Sequence, residues 1–309
     1  MPAFATILDQ MWRALCVLVF CACGDNLGPE IRGPHHGYVL SRQLVPVTNP
    51  ETVNYGIDLN GDGRVDNQLG QVLSVLNSRN LLEVRANTDH LVDRGELLQL
   101  VDVQKEDHGL FAGFSAHVGA SPMPEPCEGP QDVVCRKHLQ GTGVFEIDAS
   151  SSDLSPLVSQ SRDEAFIGGP GRISIVTGFL GEPIPIDLYA ARVWFSEEAE
   201  TLSGIIGGGV TRDQLHERLI PAYLRLIAED VDRDCPDAVP ATCVCNADTT
   251  GKTELGLFDA NHDCAVSIDE LENNSLTVSL LSPDLGAGNS GPLLSFGFGF
   301  EAVTATIVP

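Results

Sequence analysis

Positive charge is what this sequence has least of. Only 18 Lys and Arg stand against 43 Asp and Glu among 309 residues, a formal net charge of −25. A grip on phosphate needs clustered Lys and Arg, and no such cluster exists, so a general nucleic-acid grip is excluded, and an anionic membrane surface is disfavoured for the same reason. The acidity either keeps the chain soluble outside the cytoplasm or is partly neutralised by bound divalent cations. Aromatic side chains are also few; two Trp and four Tyr count against a broad sugar-stacking face. No phosphate-cradling glycine loop or dinucleotide fingerprint occurs, which leaves nucleotide chemistry without a site. Beyond residue 22 no apolar stretch approaches the about 17–25 residues that span a bilayer, so the remainder is expected to be soluble.

The first 22 residues differ in character from the rest. Arg13 precedes a short apolar run, Ala14–Ala22, which suits the hydrophobic region of a secretory signal peptide. The tetrad Phe20-Cys21-Ala22-Cys23 that closes it resembles a bacterial lipobox. That resemblance implies cleavage after Ala22, acylation of Cys23 and residence in the cell envelope, anchored to the outer membrane and facing the periplasm or the surface. Phe20 and Cys21 depart from the usual Leu and Ala or Ser, so plain secretion with a different cut stays open. Residues 23–34, rich in Gly and Pro, are expected to be a tether. The segment 35–309 is long enough to bury a full core as one large domain.

Of 9 cysteines, Cys16, Cys21 and Cys23 fall in the leader region, leaving Cys127, Cys135, Cys235, Cys243, Cys245 and Cys264. An even number in an exported chain points to disulfides. Cys127 and Cys135 bracket a Pro/Gly-containing loop and are expected to pair locally. The other four admit three connectivities, of which those joining Cys264 to Cys243 or Cys245 are favoured. Zinc held by Cys235, Cys243, Cys245 and Cys264 is the competing expectation.

Two short acidic stretches carry the most specific chemistry. In Asp259-Ala-Asn261-His-Asp263-Cys264-Ala265-Val266-Ser267-Ile268-Asp269-Glu270, oxygen-bearing side chains alternate and a long carboxylate closes the series. Calcium takes six to eight oxygens at about 2.3–2.6 Å, and alternating short acids and amides on a tight turn supply them. The stretch resembles an EF-hand loop. The resemblance implies calcium ligands from the side chains of Asp259, Asn261 and Asp263, the carbonyl of Ala265, Ser267 through water, and Glu270 as the bidentate closing group. It departs at the sixth position, where Cys264 replaces the family's Gly; a Cβ is disfavoured there if φ is positive, so strain or a disulfide is expected. Asp58-Leu-Asn60-Gly-Asp62-Gly63-Arg64-Val65-Asp66-Asn67-Gln68-Leu69 resembles the same loop, with Asp58, Asn60, Asp62, the Arg64 carbonyl and Asp66 as implied ligands. Here the Gly is present and Leu69 stands where the closing Glu belongs. A plain Asn/Asp/Gly turn is the alternative. A third acidic run, Asp230-Val-Asp232-Arg-Asp234-Cys235, repeats only the opening of the motif, and Pro236 follows at once, so an acidic helix end is expected.

Periodicity divides the rest. Tyr38–Val47, Glu96–Gln104, Leu110–Val118, Gly143–Ala149, Arg172–Val176 and Ile186–Phe195 are apolar or alternating runs between Gly, Pro, Asp and Ser clusters, which predicts strands. Phe296, Phe298 and Phe300 alternate with glycines ahead of Val303–Val308, a last strand. Helices are expected from Leu69, from Leu81 to Val92, after a Thr211–Gln214 capping box, and beyond Glu270, where Ser267 and Glu270 form a second box. Pro221 is expected to kink or restart its helix. The expected fold is α+β: an antiparallel β-sandwich-like core, 35–210 and 285–309, interrupted by a helical, disulfide-bearing insertion, 211–284, that carries the main loop.

Enzymatic candidates are thin. Gly288-Asn-Ser290-Gly-Pro292 faintly resembles the nucleophile segment of chymotrypsin-like proteases, with His117 upstream, but the second Gly after the serine is missing. His35 and His36 together do not make a closed metal site. The expectation is therefore a calcium-binding envelope lipoprotein with a structural, adhesive or ligand-binding role and a cell-surface protein or glycan as partner. An extracellular hydrolase with structural calcium, or a carbohydrate-binding sandwich, is the alternative.

Overall fold

The structure is a computed structural model that describes residues 31–129, 132, 135–236, 242–286 and 291–308. The signal segment, Cys23, most of the tether and Ser290 lie outside the described residues. The strands are β1 (His35–Leu44), β2 (Gln99–Lys105), β3 (Phe111–Met123), β4 (Gly143–Ile147), β5 (Leu157–Arg162), β6 (Ala165–Thr177), β7 (Ile184–Glu198), β8 (Thr201–Thr211) and β9 (Leu293–Val308). They form one nine-stranded sheet. Each of β1, β2, β3, β5, β6, β7, β8 and β9 pairs antiparallel with the next in that order, and β9 pairs back with β1. The ring therefore closes, which removes the free edges an open sheet would expose. Strand β4 stands outside it, antiparallel to the end of β3 and parallel to the end of β9. The α+β class holds; where a sandwich-like core was expected, the strands form a single sheet closed on itself.

Closure follows from side-chain volume. Directly opposed residues of an antiparallel pair share a face. Phe296, Phe298 and Phe300 of β9 oppose Gly208, Ile206 and Gly204 of β8, and all three rings are at most 1 % exposed. Large against small lets the rings fill the interior. Phe114 of β3 lies 5.2 Å from Phe195 and 6.2 Å from Phe300, ring centre to ring centre, so aromatic contacts cross from one side of the ring to the other. The intervening Gly297 and Gly299 face outward, where a Cβ on either would collide with Tyr55.

Strand β5 ends before it covers all of β6, and two buried glutamines complete the edge. Gln99 Oε1 accepts the Val176 N–H at 2.7 Å, and Gln43 Nε2 donates to the Val176 carbonyl at 2.9 Å. Without them a buried backbone pair would be unsatisfied.

Helices occupy the two longest links. Between β1 and β2 lie α1 (Asn49–Asn54), α2 (Gln68–Ser78) and α3 (Val84–Asp93). Between β8 and β9 lie α4 (Arg212–Gln214), a π-helical turn (Leu215–Leu219), α5 (Ile220–Asp234), α6 (Thr250–Phe258), α7 (Ile268–Asn273) and α8 (Ser275–Leu280). Pro221 sits in the first turn of α5, where its missing N–H costs nothing, so the helix restarts there. The Thr211 hydroxyl caps the Gln214 N–H, but the Gln214 amide turns to the backbone of Asp187 instead of completing the box. Disulfides join Cys127 to Cys135, Cys235 to Cys245 and Cys243 to Cys264. The zinc expectation is thereby overturned, since a thiol in a disulfide is no thiolate ligand.

Candidate functional site

The two acidic stretches adopt one backbone scheme. In the second, Asp259 caps the end of α6 and its carboxylate accepts the N–H of Asp263 at 3.2 Å and of Cys264 at 3.0 Å. Asn261 Oδ1 accepts the Asp263 N–H at 2.8 Å, and Asp263 Oδ1 accepts the Ala265 N–H at 3.1 Å. In the first, Asp58 accepts the N–H of Gly61 and Gly63, Asn60 that of Asp62 at 2.8 Å, and Asp62 that of Arg64 at 2.8 Å. The fourth and sixth positions have positive φ in both: Gly61 and Gly63 at 81° and 85°, His262 and Cys264 at 59° and 71°. Cys264 therefore takes the left-handed conformation that Gly would, and its bond to Cys243 holds it there.

Closure of the loops differs by one substitution of reach. Glu270 Oε1 accepts the N–H of Ala260 and Asn261 at 3.0 and 3.1 Å, turning the last residue of the loop onto its second and third. Its other oxygen accepts from the Ser267 backbone and hydroxyl, and Ser267 Oγ accepts the Glu270 N–H, so loop closure and the capping box coexist. The Ser267 N–H first, then its hydroxyl, hold the Glu270 carboxyl below its usual range. In the first loop Asp66 accepts the N–H of Leu59 at 2.8 Å and of Asn60 at 3.3 Å, the same second and third positions. Leu69 at the twelfth position is 4 % exposed and belongs to the core. The ninth residue thus closes a loop whose twelfth cannot. Burial, and then the charges of Asp284 and Asp62, raise the Asp66 carboxyl against the pull of those N–H groups.

Strand β9 fixes the first loop. Asn67 exchanges two hydrogen bonds with the Gly297 backbone, at 3.0 and 2.9 Å, and caps α2 through Gly70 N–H. Gln68 donates from its backbone to Ser295 Oγ and from its amide to the Leu280 carbonyl of α8. Leu69, Leu73, Phe258, Leu271 and Leu280, which flank both loops, line a common apolar cavity of about 80 Å³. Its lining is almost wholly apolar and offers a water few partners, so this space is an apolar packing seam between the two helix groups. The π-helical turn adds a second tie: His216 Nδ1 meets Glu272 Oε1 at 2.5 Å, two residues beyond Glu270, and Nε2 accepts from Arg212 at 3.1 Å. No spacing in the sequence marks His216, because its partner is distant in the chain.

Among the described residues, no three His, Cys, Asp or Glu side chains stand together as a ready-made metal cluster; the loop oxygens are turned to the loops' own N–H groups. Asp230 and Asp234 lie in α5 and are engaged by Arg233 at 2.6 and 2.9 Å, an acidic helix end as expected. His35 pairs with Asp102 at 2.6 Å. His36 follows it in an extended strand and so projects from the opposite face, which prevents a joint site. His117 lies in β3 opposite Leu100, its imidazole pushed toward the neutral form by burial. No protein-family model, curated protein or solved structure matches this chain.

Proposed function

We propose that the chain is a calcium-binding exported protein of the cell envelope, lipid-anchored at Cys23, whose two loops clamp helices to a closed β-barrel in a structural, adhesive or ligand-binding role. The observation that carries it is the shared loop scheme. Two separate stretches place three short oxygen-bearing side chains around one turn and bring a closing carboxylate onto the same backbone positions, although that carboxylate comes from position twelve in one and nine in the other. Every side-chain donor is an oxygen, the set a hard cation selects. Asp58, Asn60, Asp62 and Asp66 would hold one ion with the Arg64 carbonyl; Asp259, Asn261, Asp263 and Glu270 would hold the other with the Ala265 carbonyl and Ser267. Bound calcium would supply the positive charge that the mutually repelling Asp62, Asp66 and Asp284 lack. The lipid rests on the lipobox-like tetrad, and three disulfides agree with an oxidising compartment.

Thermal unfolding of the mature chain with chelator and with excess calcium tests this. Mass action gives about 2.7 kcal/mol per site when free calcium stands a hundredfold above the dissociation constant. A melting temperature that rises with calcium and not with magnesium is expected. Identical melts in chelator and calcium would remove the proposal.

A further inference from the structure

Helix α6 lies close against α5. A Cβ on Gly251, in the first turn of α6, would stand 2.6 Å from the Asp230 carbonyl oxygen. One turn on, Glu254 is 0 % exposed, and neither of its carboxyl oxygens has a hydrogen-bond partner. The titratable and charged groups that face it are Asp230, Asp234, Arg233 and Tyr223, all from α5. The Tyr223 hydroxyl is buried beside it, close enough to act on the carboxyl but outside good hydrogen-bond geometry. Arg233, the one cation of the group, is spent on Asp230 and Asp234, and Asp234 also accepts the Gly251 N–H at 2.9 Å.

An ionised carboxylate in this position would have no cation to pair with and would be set against two acids, which a buried site disfavours steeply. A proton or a cation could neutralise it. A cation needs several oxygens turned to one point. The oxygens of Asp230 and Asp234 are turned to Arg233 and Gly251 instead, and the Arg233 guanidinium already offsets their charge. A proton needs one oxygen only, and it makes the carboxyl a donor.

We propose that Glu254 is a neutral carboxylic acid at neutral pH, and that its ionisation loosens α6 from α5, forming a pH-sensitive clamp on the helix that ends at Asp259. Burial first, then the Asp230 charge, push this carboxyl up from 4.5 to about 8. A carboxyl raised in the folded state stabilises it fully below the unfolded value of 4.5, and that stabilisation is lost progressively as pH rises to about 8. The clamp does not depend on calcium, so it is measured in chelator.

The test is carboxyl NMR and amide exchange on the full mature chain, with Glu254→Gln and Asp230→Asn as variants. Wild type should show a glutamate carboxyl titrating near 8 that is absent from Glu254→Gln. Protection of the Leu255–Phe258 amides, corrected for intrinsic exchange, should fall at least about tenfold between about pH 6 and about pH 9 in wild type and stay level in Glu254→Gln. Asp230→Asn, which removes the facing charge, should lower the midpoint. The proposal is overturned if no glutamate titrates above about pH 6, if Glu254→Gln loses protection equally, or if Asp230→Asn leaves the midpoint in place. It is overturned as well if sodium or calcium lowers the midpoint in an Asp259→Ala background, which would make Glu254 a cation ligand.

Discussion

Asp66 and Cys264 are the residues on which the two loops differ. Each solves locally a problem that the motif usually solves another way. The aspartate at position nine reaches the second and third N–H groups of its loop only because the chain turns back through the Ile57–Asp66 bridge, which shortens the path a glutamate would otherwise span. Asp66→Ala should therefore abolish calcium binding by the first loop, whereas Leu69→Met, a volume-conserving core change, should leave it intact; calorimetric titration of each variant separates them. Cys264 carries a Cβ at a φ of 71°, a conformation that costs roughly 1–2 kcal/mol outside glycine. Removing its bond to Cys243 by combining Cys243→Ser with Cys264→Ser should cost about 2–4 kcal/mol in urea unfolding, and Cys243→Ser with Cys264→Gly should recover about 1 kcal/mol of it. The alternation of acids was legible in the sequence for both loops. Asp66 was legible as a ligand but not as the closing group, since a position-by-position match assigns closure to Leu69, and only the folded turn shows which carboxylate reaches the second and third N–H groups.

Elements were legible where period and punctuation agreed. The Leu81–Val92 period marks α3, Pro221 the restart of α5, and Phe296-Gly-Phe298-Gly-Phe300 the strand β9. Two strands left no such trace. β8 contains Gly204, Gly207, Gly208 and Gly209, a run that reads as loop; its glycines are needed because a Cβ on Gly204 would collide with the Trp194 carbonyl oxygen of β7, one on Gly208 would stand 2.8 Å from the Leu188 Cβ, and one on Gly209 would stand 2.6 Å from the Leu293 Cβ. β5 is short, and its partner β3 is distant in the chain. Long-range ties such as His216 to Glu272 are equally silent in sequence. That tie joins α7 to the π-helical turn after β8, so His216→Ala should weaken calcium binding by the second loop more than by the first. Heats from a chain carrying Asp66→Ala, with and without His216→Ala, report the second loop alone; equal affinities would show the tie to be dispensable.

At the scale of the whole molecule, barrel closure was the feature furthest from the sequence. Strand periodicity is the same for a sandwich and a closed ring, and the difference lies in whether β1 and β9 meet. They meet because aromatic side chains of β9 and β3 fill the space between the strands, with glycines across from them on β8. Gly208→Val should test this: its Cβ would stand 2.8 Å from the Leu188 Cβ, and overpacking of this kind costs about 1–3 kcal/mol. Phe298→Ala, by emptying the interior, should cost about 3–5 kcal/mol in the same unfolding measurement. An unchanged midpoint in either variant would place the core elsewhere.

Calcium titration by calorimetry on the chelator-stripped mature chain, beside Asp66→Ala and Asp259→Ala, addresses the central claim most directly. Two bound ions in wild type are expected, with one lost in each variant and both lost when the changes are combined. Absence of heat in wild type, or retention of both ions in the double variant, would contradict it and leave the two loops as hydrogen-bonded turns.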